Sequence, residues 1–136
     1  MITQLKNYCN QTLHDLSYDK SHREKFVNSK IMAKNGDTFC DKISSYFCIS
    51  KTKSCDAIYF NDEKDKIFLI EFKNQHESQV KSEKDDILEK AYQSLAKLII
   101  NYNFLYSDVL PKIQFILIYN NKIENSDSSS SYQESN

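Results

Sequence analysis

The chain of 136 residues has one glycine, one proline, one arginine and no tryptophan. With a single glycine it cannot build the glycine-rich loops by which P-loop and dinucleotide-binding proteins cradle phosphate. Its turns must instead rest on Asn, Asp, Ser and Lys. The four cysteines, Cys9, Cys40, Cys48 and Cys55, include no CxxC pair, and no histidines stand at zinc-finger distance from them. They read as reduced, mostly buried small apolar residues. No apolar run approaches the length of a membrane span, and the start of the chain lacks the apolar stretch of a signal peptide. The expectation is a soluble, cytoplasmic protein with no membrane partner. Neither sign of charge is in excess: Lys plus Arg total 18, Asp plus Glu 19, and the net charge is -1. A nucleic-acid site would therefore have to be a local patch.

What is present suffices for one folded domain. Hydrophobic residues make up 40%, with 8 Phe and 9 Tyr, and the length suits a single core. Ile2, Leu5, Cys9, Leu13 and Leu16 recur at steps of three and four and predict an N-terminal amphipathic helix. A second helix is predicted from about His22 to Lys34, stopped by Asn35-Gly36. Thr38 to Asp41 has the form of a capping box, so a short helix through Ser45 is one reading of this stretch. Tyr46 to Ile49 favours a strand, and a passage from helix to strand is the expectation. Cys55 to Phe60 and Ile67 to Lys73 flank the polar Asn61 to Asp65 and predict a β-hairpin. Ser82 to Leu105 predicts a long helix started by Ser82 and Asp85, and Pro111 precedes a buried strand over Ile113 to Tyr119. The expected fold is α/β with a mixed central sheet over residues 1–120. Residues 121–136 read as a disordered polar tail whose removal from Asn125 onward should change little.

Two positions in the hairpin call for chemistry. Along Lys66 to Lys73, Ile67, Leu69, Glu71 and Lys73 share one face, so an apolar strand face ends in a carboxylate and an ammonium. Asp56 interrupts an otherwise apolar β run on the preceding strand, where Asp is disfavoured without compensation. Burying such charges unpaired is costly. A salt bridge at a solvated strand end would meet the cost. So would a site in which Asp56 and Glu71 offer hard oxygen ligands to Mg²⁺ or Mn²⁺ and Lys73 stabilises charge on a substrate phosphate. The second reading requires both carboxylates on one sheet face, which means cross-strand partners whose numbers sum to an odd value.

An Asp on one strand, Glu-x-Lys at the end of the next, then a long helix and a buried strand resembles the PD-(D/E)XK nuclease superfamily. The stretch is CDAIYFNDEKDKIFLIEFKN, and Cys55 stands where the name-giving proline would be. The resemblance implies a restriction-endonuclease-like α-β-β-β-α-β core, here with an extra N-terminal helix, and divalent-metal-dependent phosphodiester cleavage. It implies Asp56, Glu71 and the Phe72 carbonyl as metal ligands, with Lys73 as catalytic base or electrostatic helper. Members often add a glutamate from the first core helix. Glu24 is the candidate catalytic residue there, in step with Val27 and Ile31, although a solvated surface Glu has the same pattern.

Other residues are less specific. Lys90, Gln93 and Lys97 share a helix face opposite the apolar stripe and read as a solvated strip. Lys20 to Lys34 holds five positive residues and one negative, which suits a phosphate backbone or simply water. No interleaved exposed aromatics mark a base-stacking platform. His22 and His76 stand beside the motif without a defined role, and His14 has no visible partner. The expected partner is nucleic acid, DNA or RNA. The competing expectation is a non-catalytic binding or immunity-type protein, with Asp56, Glu71 and Lys73 as a structural ion pair. The sequence leaves the oligomeric state open, a dimer included.

Overall fold

A computed structural model describes residues 9–122; the calls on Ile2 and Leu5 and on the tail from 123 onward lie outside the described residues. The expected α/β class with a mixed sheet is found. Strand β1 (Asn10–Thr12) leads into a single helical turn α1 (Leu13–Leu16), and the short strands β2 (Tyr18–Asp19) and β3 (Glu24–Lys25) form a separate ribbon. Strand β4 (Met32–Asn35), helix α2 (Gly36–Tyr46), strands β5 (Ala57–Asn61) and β6 (Lys66–Lys73) follow. Helices α3 (Glu77–Ser82), α4 (Lys84–Tyr102) and α5 (Tyr106–Val109), with a 3-10 turn over Leu110–Lys112, lead to strand β7 (Ile113–Tyr119). The five-stranded sheet has the order β1-β4-β5-β6-β7. It is antiparallel as far as β6, and β7 runs parallel to β6 after the helical crossover.

The hairpin forms because two β-rich runs are joined by four polar residues, with the Asn61 side chain accepting from the Lys64 N–H at 3.1 Å. Strand β6 is central, and its alternation sorts the core into two layers. Ile67 and Leu69 pack with Phe39, Ile43, Leu95 and Leu98 under α2 and α4. Ile70 and Phe72 pack on the other face with Leu13, Ala33 and Ala57. Strand β7 stacks in register beside β6 from Ile67↔Ile113 to Lys73↔Tyr119.

The N-terminal third departs from the helical expectation. Cys9 has φ 56, and Asn10–Thr12 pairs with Met32–Lys34 as a strand, so only Leu13–Leu16 is helical among the described residues of the first stretch. His22 to Lys34 forms no helix. Glu24–Lys25 pairs with Tyr18–Asp19, and the chain then runs extended past α1, where His14 N–H donates to Ser29 O and Leu13 N–H to Ile31 O. Its apolar content is small, and Phe26 and Val27 gain more by covering the second sheet face than a helix would give them. Leaving out the single turn α1, the five sheet strands and their main helices run β-β-α-β-β-α-β, so α2 stands between β4 and the hairpin where the resemblance implied a helix before three consecutive strands. Asn35-Gly36 starts a helix instead of stopping one, since Asn35 caps α2 by accepting from Thr38 N–H at 3.1 Å. That helix continues to Tyr46, which leaves no strand over Tyr46 to Ile49. The expected long helix is found as α4, and the shorter α3, which the sequence reading did not include, precedes it and is parted from it at Glu83. His76 caps α3, and neither Ser82 nor Asp85 caps α4.

Candidate functional site

The site is assembled where β5 begins and β6 ends. Gly36 presses against the strand at this point: a Cβ built on it would lie 1.7 Å from the Cys55 carbonyl oxygen. Its N–H donates to Asp56 O at 2.9 Å, while Cys55 N–H donates to the buried Ser94 Oγ of α4 at 2.8 Å. The chain's single glycine and one helix serine thus clamp the backbone that carries Asp56.

The register is Ala57↔Ile70 and Ile58↔Leu69, so one step further Asp56 stands opposite Glu71, and the odd sum required for a shared face is met. Asp56 Oδ2 accepts from the Phe72 N–H at 2.8 Å, which fixes the carboxylate against the end of β6. The N–H and C=O of one strand residue point to the same neighbour, so the Phe72 carbonyl is turned to that side as well.

Glu71 is 1% exposed. Burial pushes its carboxyl up to about 9, with the hydrogen bond to Asp56 and the Asp56 charge adding to the rise and Lys90 opposing it. Lys90 Nζ lies 3.3 Å from Glu71 Oε2, yet that oxygen receives no well-directed hydrogen bond. Lys73 does not pair with Glu71. Its ammonium is 3.8 Å from Glu83 Oε2, and its side chain is 15% exposed. The structure therefore brings Asp56 and Glu71 together, places Lys73 beside them, and makes Lys90 the cation nearest Glu71.

Lys90 and Lys97 correct the reading of a solvated strip. Lys97 is buried and donates to Ser50 O at 2.8 Å, and Gln93 accepts from the Lys53 N–H at 2.6 Å. The missed signal is the spacing of Lys90, Ser94, Lys97 and Asn101, which follows Ile87 at steps of three and four and so continues the buried face. Glu24 is on a strand, and the contact it makes is with Asn74, whose amide donates to it at 2.7 Å and to Asp19 at 3.0 Å. Asn120 in turn donates to Asn74 Oδ1 at 2.8 Å. Glu24 thus belongs to a neighbouring polar cluster. His22 pairs with Asp19, His14 lies against Val27 O, and His76 caps α3.

A pocket of about 240 Å³ opens beside Asp56, between the segment Leu16–His22 and the end of β6, with Asp56, Lys73 and Asn74 in its wall. A larger cleft of about 650 Å³ lies at the opposite end of the hairpin by Phe60 and Tyr102, away from Asp56 and Glu71. Among the described residues no group of three or more His, Cys, Asp and Glu is placed to hold a metal ion. A divalent cation here would have two side-chain carboxylates, and Mg²⁺ commonly takes one or two, with water and substrate oxygens completing its shell. The buried Glu71 oxygen that lacks a directed donor fits such an ion.

All four cysteines are free: Cys40 and Cys55 are buried, Cys9 is half-buried and Cys48 exposed, fewer buried than the sequence suggested. Burial pushes the Cys40 and Cys55 thiols up to about 12, which leaves them unreactive. No helix of the described residues is long and apolar enough to cross a membrane. No protein-family model, no curated protein and no solved structure matches this chain.

Proposed function

We propose that the protein is a metal-dependent nuclease that hydrolyses phosphodiester bonds in DNA or RNA, of the PD-(D/E)XK type its motif resembles. The observation that carries this reading is the pairing of Asp56 with a buried Glu71 at the strand ends, beside Lys73 and an open polar pocket. Asp56, Glu71 and the Phe72 carbonyl would hold the ion. When bound, Mg²⁺ or Mn²⁺ would polarise a phosphoryl oxygen and acidify a water. The Phe72 N–H keeps the Asp56 carboxylate in one orientation. Lys73, partly sheltered from water, supplies positive charge where a phosphate would develop it, a role that strengthens toward the transition state. In the reaction the water oxygen bonds to phosphorus and gives up a proton to solvent, the bond to the leaving sugar oxygen breaks, and that oxygen takes up a proton. The free thiols suit the reducing cytoplasm, where we place the protein.

The Lys90–Glu71 contact favours a second reading, a non-catalytic binding protein in which this ion pair is structural. Calorimetric titration with MgCl₂ or MnCl₂, run beside cleavage of single- and double-stranded DNA and RNA, separates the two. The nuclease reading expects saturable metal binding that Asp56→Asn and Glu71→Gln each weaken at least tenfold, with metal-dependent cleavage of one substrate. A wild type that binds no metal and cuts nothing would leave the structural pair as the better account.

A further inference from the structure

The pocket beside Asp56 has features that two carboxylates and a lysine do not require. One wall is β2 with the turn that follows it, residues 16–22, which lie between the two helices that the sequence predicts. Tyr18, half exposed, and Lys20, exposed, line this wall. Phe26 and the buried Phe72 also line it and pack on each other edge to face, with ring centroids 6.1 Å apart. Asp19 brings a carboxylate to the same wall, and Asn74 beside it is held by Asp19, Glu24 and Asn120. The exposed Tyr18 ring, the exposed Lys20 ammonium and the Asp19 carboxylate match the three parts of a nucleotide: a base to stack, a phosphate to neutralise, and a base-edge donor to satisfy.

Size decides between strand types. A volume of about 240 Å³ lies below the roughly 300–1,000 Å³ of pockets for drug-sized ligands, room for one base with its sugar and none for a second strand. A duplex lying across the mouth would leave the exposed Tyr18 ring unstacked, whereas an unpaired base lies on it.

We propose that this pocket is a subsite for one unpaired nucleotide, so that single-stranded or frayed nucleic acid, rather than intact duplex, is presented to Asp56 and Lys73. The proposal deepens the nuclease reading and rests on it for the identity of the adjoining chemistry, but its test needs only binding.

The test uses the full chain in EDTA and the fluorescence anisotropy of a labelled oligothymidylate, alone or annealed to oligoadenylate. Wild type should bind the single strand more tightly than the duplex. Stacking on an aromatic is worth about 1–3 kcal/mol per base, so Tyr18→Ala should weaken single-strand binding roughly 5- to 150-fold and leave duplex binding unchanged, while Tyr18→Phe, which keeps the ring, should bind as wild type does. Lys20→Ala should lower the slope of log affinity against log salt by about one phosphate contact. A thermal melt on each variant verifies folding, which an exposed Tyr or Lys leaves intact. Equal affinity for the two forms, no binding of either, or an unaltered Tyr18→Ala would overturn the subsite. Cleavage in MgCl₂ is scored separately. Binding that depends on Tyr18 without cleavage retires the nuclease reading and keeps the subsite, and cleavage with Tyr18-independent binding does the reverse.

Discussion

Lys73 and Lys90 both stand within reach of carboxylates, but their surroundings give them different energetic roles. The partner of Lys73 is Glu83, a side chain 36% exposed and 3.8 Å away, a distance and exposure at which ion pairs contribute about 0–1 kcal/mol. The partner of Lys90 is Glu71, 1% exposed, where loss of the cation leaves a buried carboxylate that must stay protonated or stand uncompensated. Lys73→Met should therefore melt within about 1 kcal/mol of wild type while cleavage falls by orders of magnitude and metal binding survives, because a contact made in the transition state affects rate more than ground-state binding. Lys90→Met should be the more destabilised of the two, by a margin that widens as pH rises and Glu71 ionises. Urea melts and a cleavage assay on both variants check this. A Lys73→Met protein that is strongly destabilised, or that cuts at the wild-type rate, removes Lys73 from the chemistry. The pair also shows what could be read before the fold was known. Lys73 was legible, because a lysine at the end of an apolar strand face is out of place. Lys90 was not, because a helix lysine at the boundary of an apolar stripe is solvated more often than buried, and only the strand packed against it supplies its partner.

At the scale of elements, the joint between α2 and β5 fixes Asp56. Gly36 begins α2 with its Cα against the Cys55 carbonyl, and the contact is to backbone, which cannot swing aside as a side-chain tip would. Gly36→Ala should force α2 and β5 apart, costing about 1–3 kcal/mol or more, and should lower metal affinity as Asp56 loses its place opposite Glu71. Denaturant unfolding and calorimetry on the variant are the measurements. A variant with wild-type stability and wild-type affinity would show that this joint does not position the carboxylate. The hairpin that Asp56 introduces is readable from alternation and loop composition, because both are local, whereas the parity of its register is a condition of the metal-site reading that the four-residue loop meets. The segment from His22 to Lys34 is not readable, since its extended path depends on partners far along the chain: Val27 N–H donates to Ser17 Oγ and His14 N–H to Ser29 O. Asn35-Gly36 is ambiguous for a related reason. The same pair serves either helix end, and only the strand leading into it shows which.

For the molecule as a whole, Glu71 ties stability to pH in a direction opposite to that of an ordinary salt-bridged carboxylate. In the unfolded chain its carboxyl titrates near 4.5, and in the fold burial and Asp56 hold it protonated up to about 9. Between those values the folded state binds more protons than the unfolded one, so unfolding free energy falls as pH rises across the window. Exposed carboxylates whose pKa is lowered, such as Asp86 beside Lys53, act the other way and below that window, losing their contribution in acid. Glu71→Gln keeps the shape and removes the titration. Its melting temperature should match wild type near pH 5, exceed it increasingly toward pH 9, and so flatten the profile, the gap at the alkaline end amounting to a few kcal/mol on the order set by the shift. A divalent cation should act most where the proton is the weaker competitor, so MgCl₂ should raise the wild-type melting temperature more at pH 9 than at pH 6 and leave Glu71→Gln nearly unmoved. Parallel profiles for wild type and Glu71→Gln would show that Glu71 is ionised throughout and held by Lys90. A metal response equal in both proteins would place the cation somewhere other than between Asp56 and Glu71.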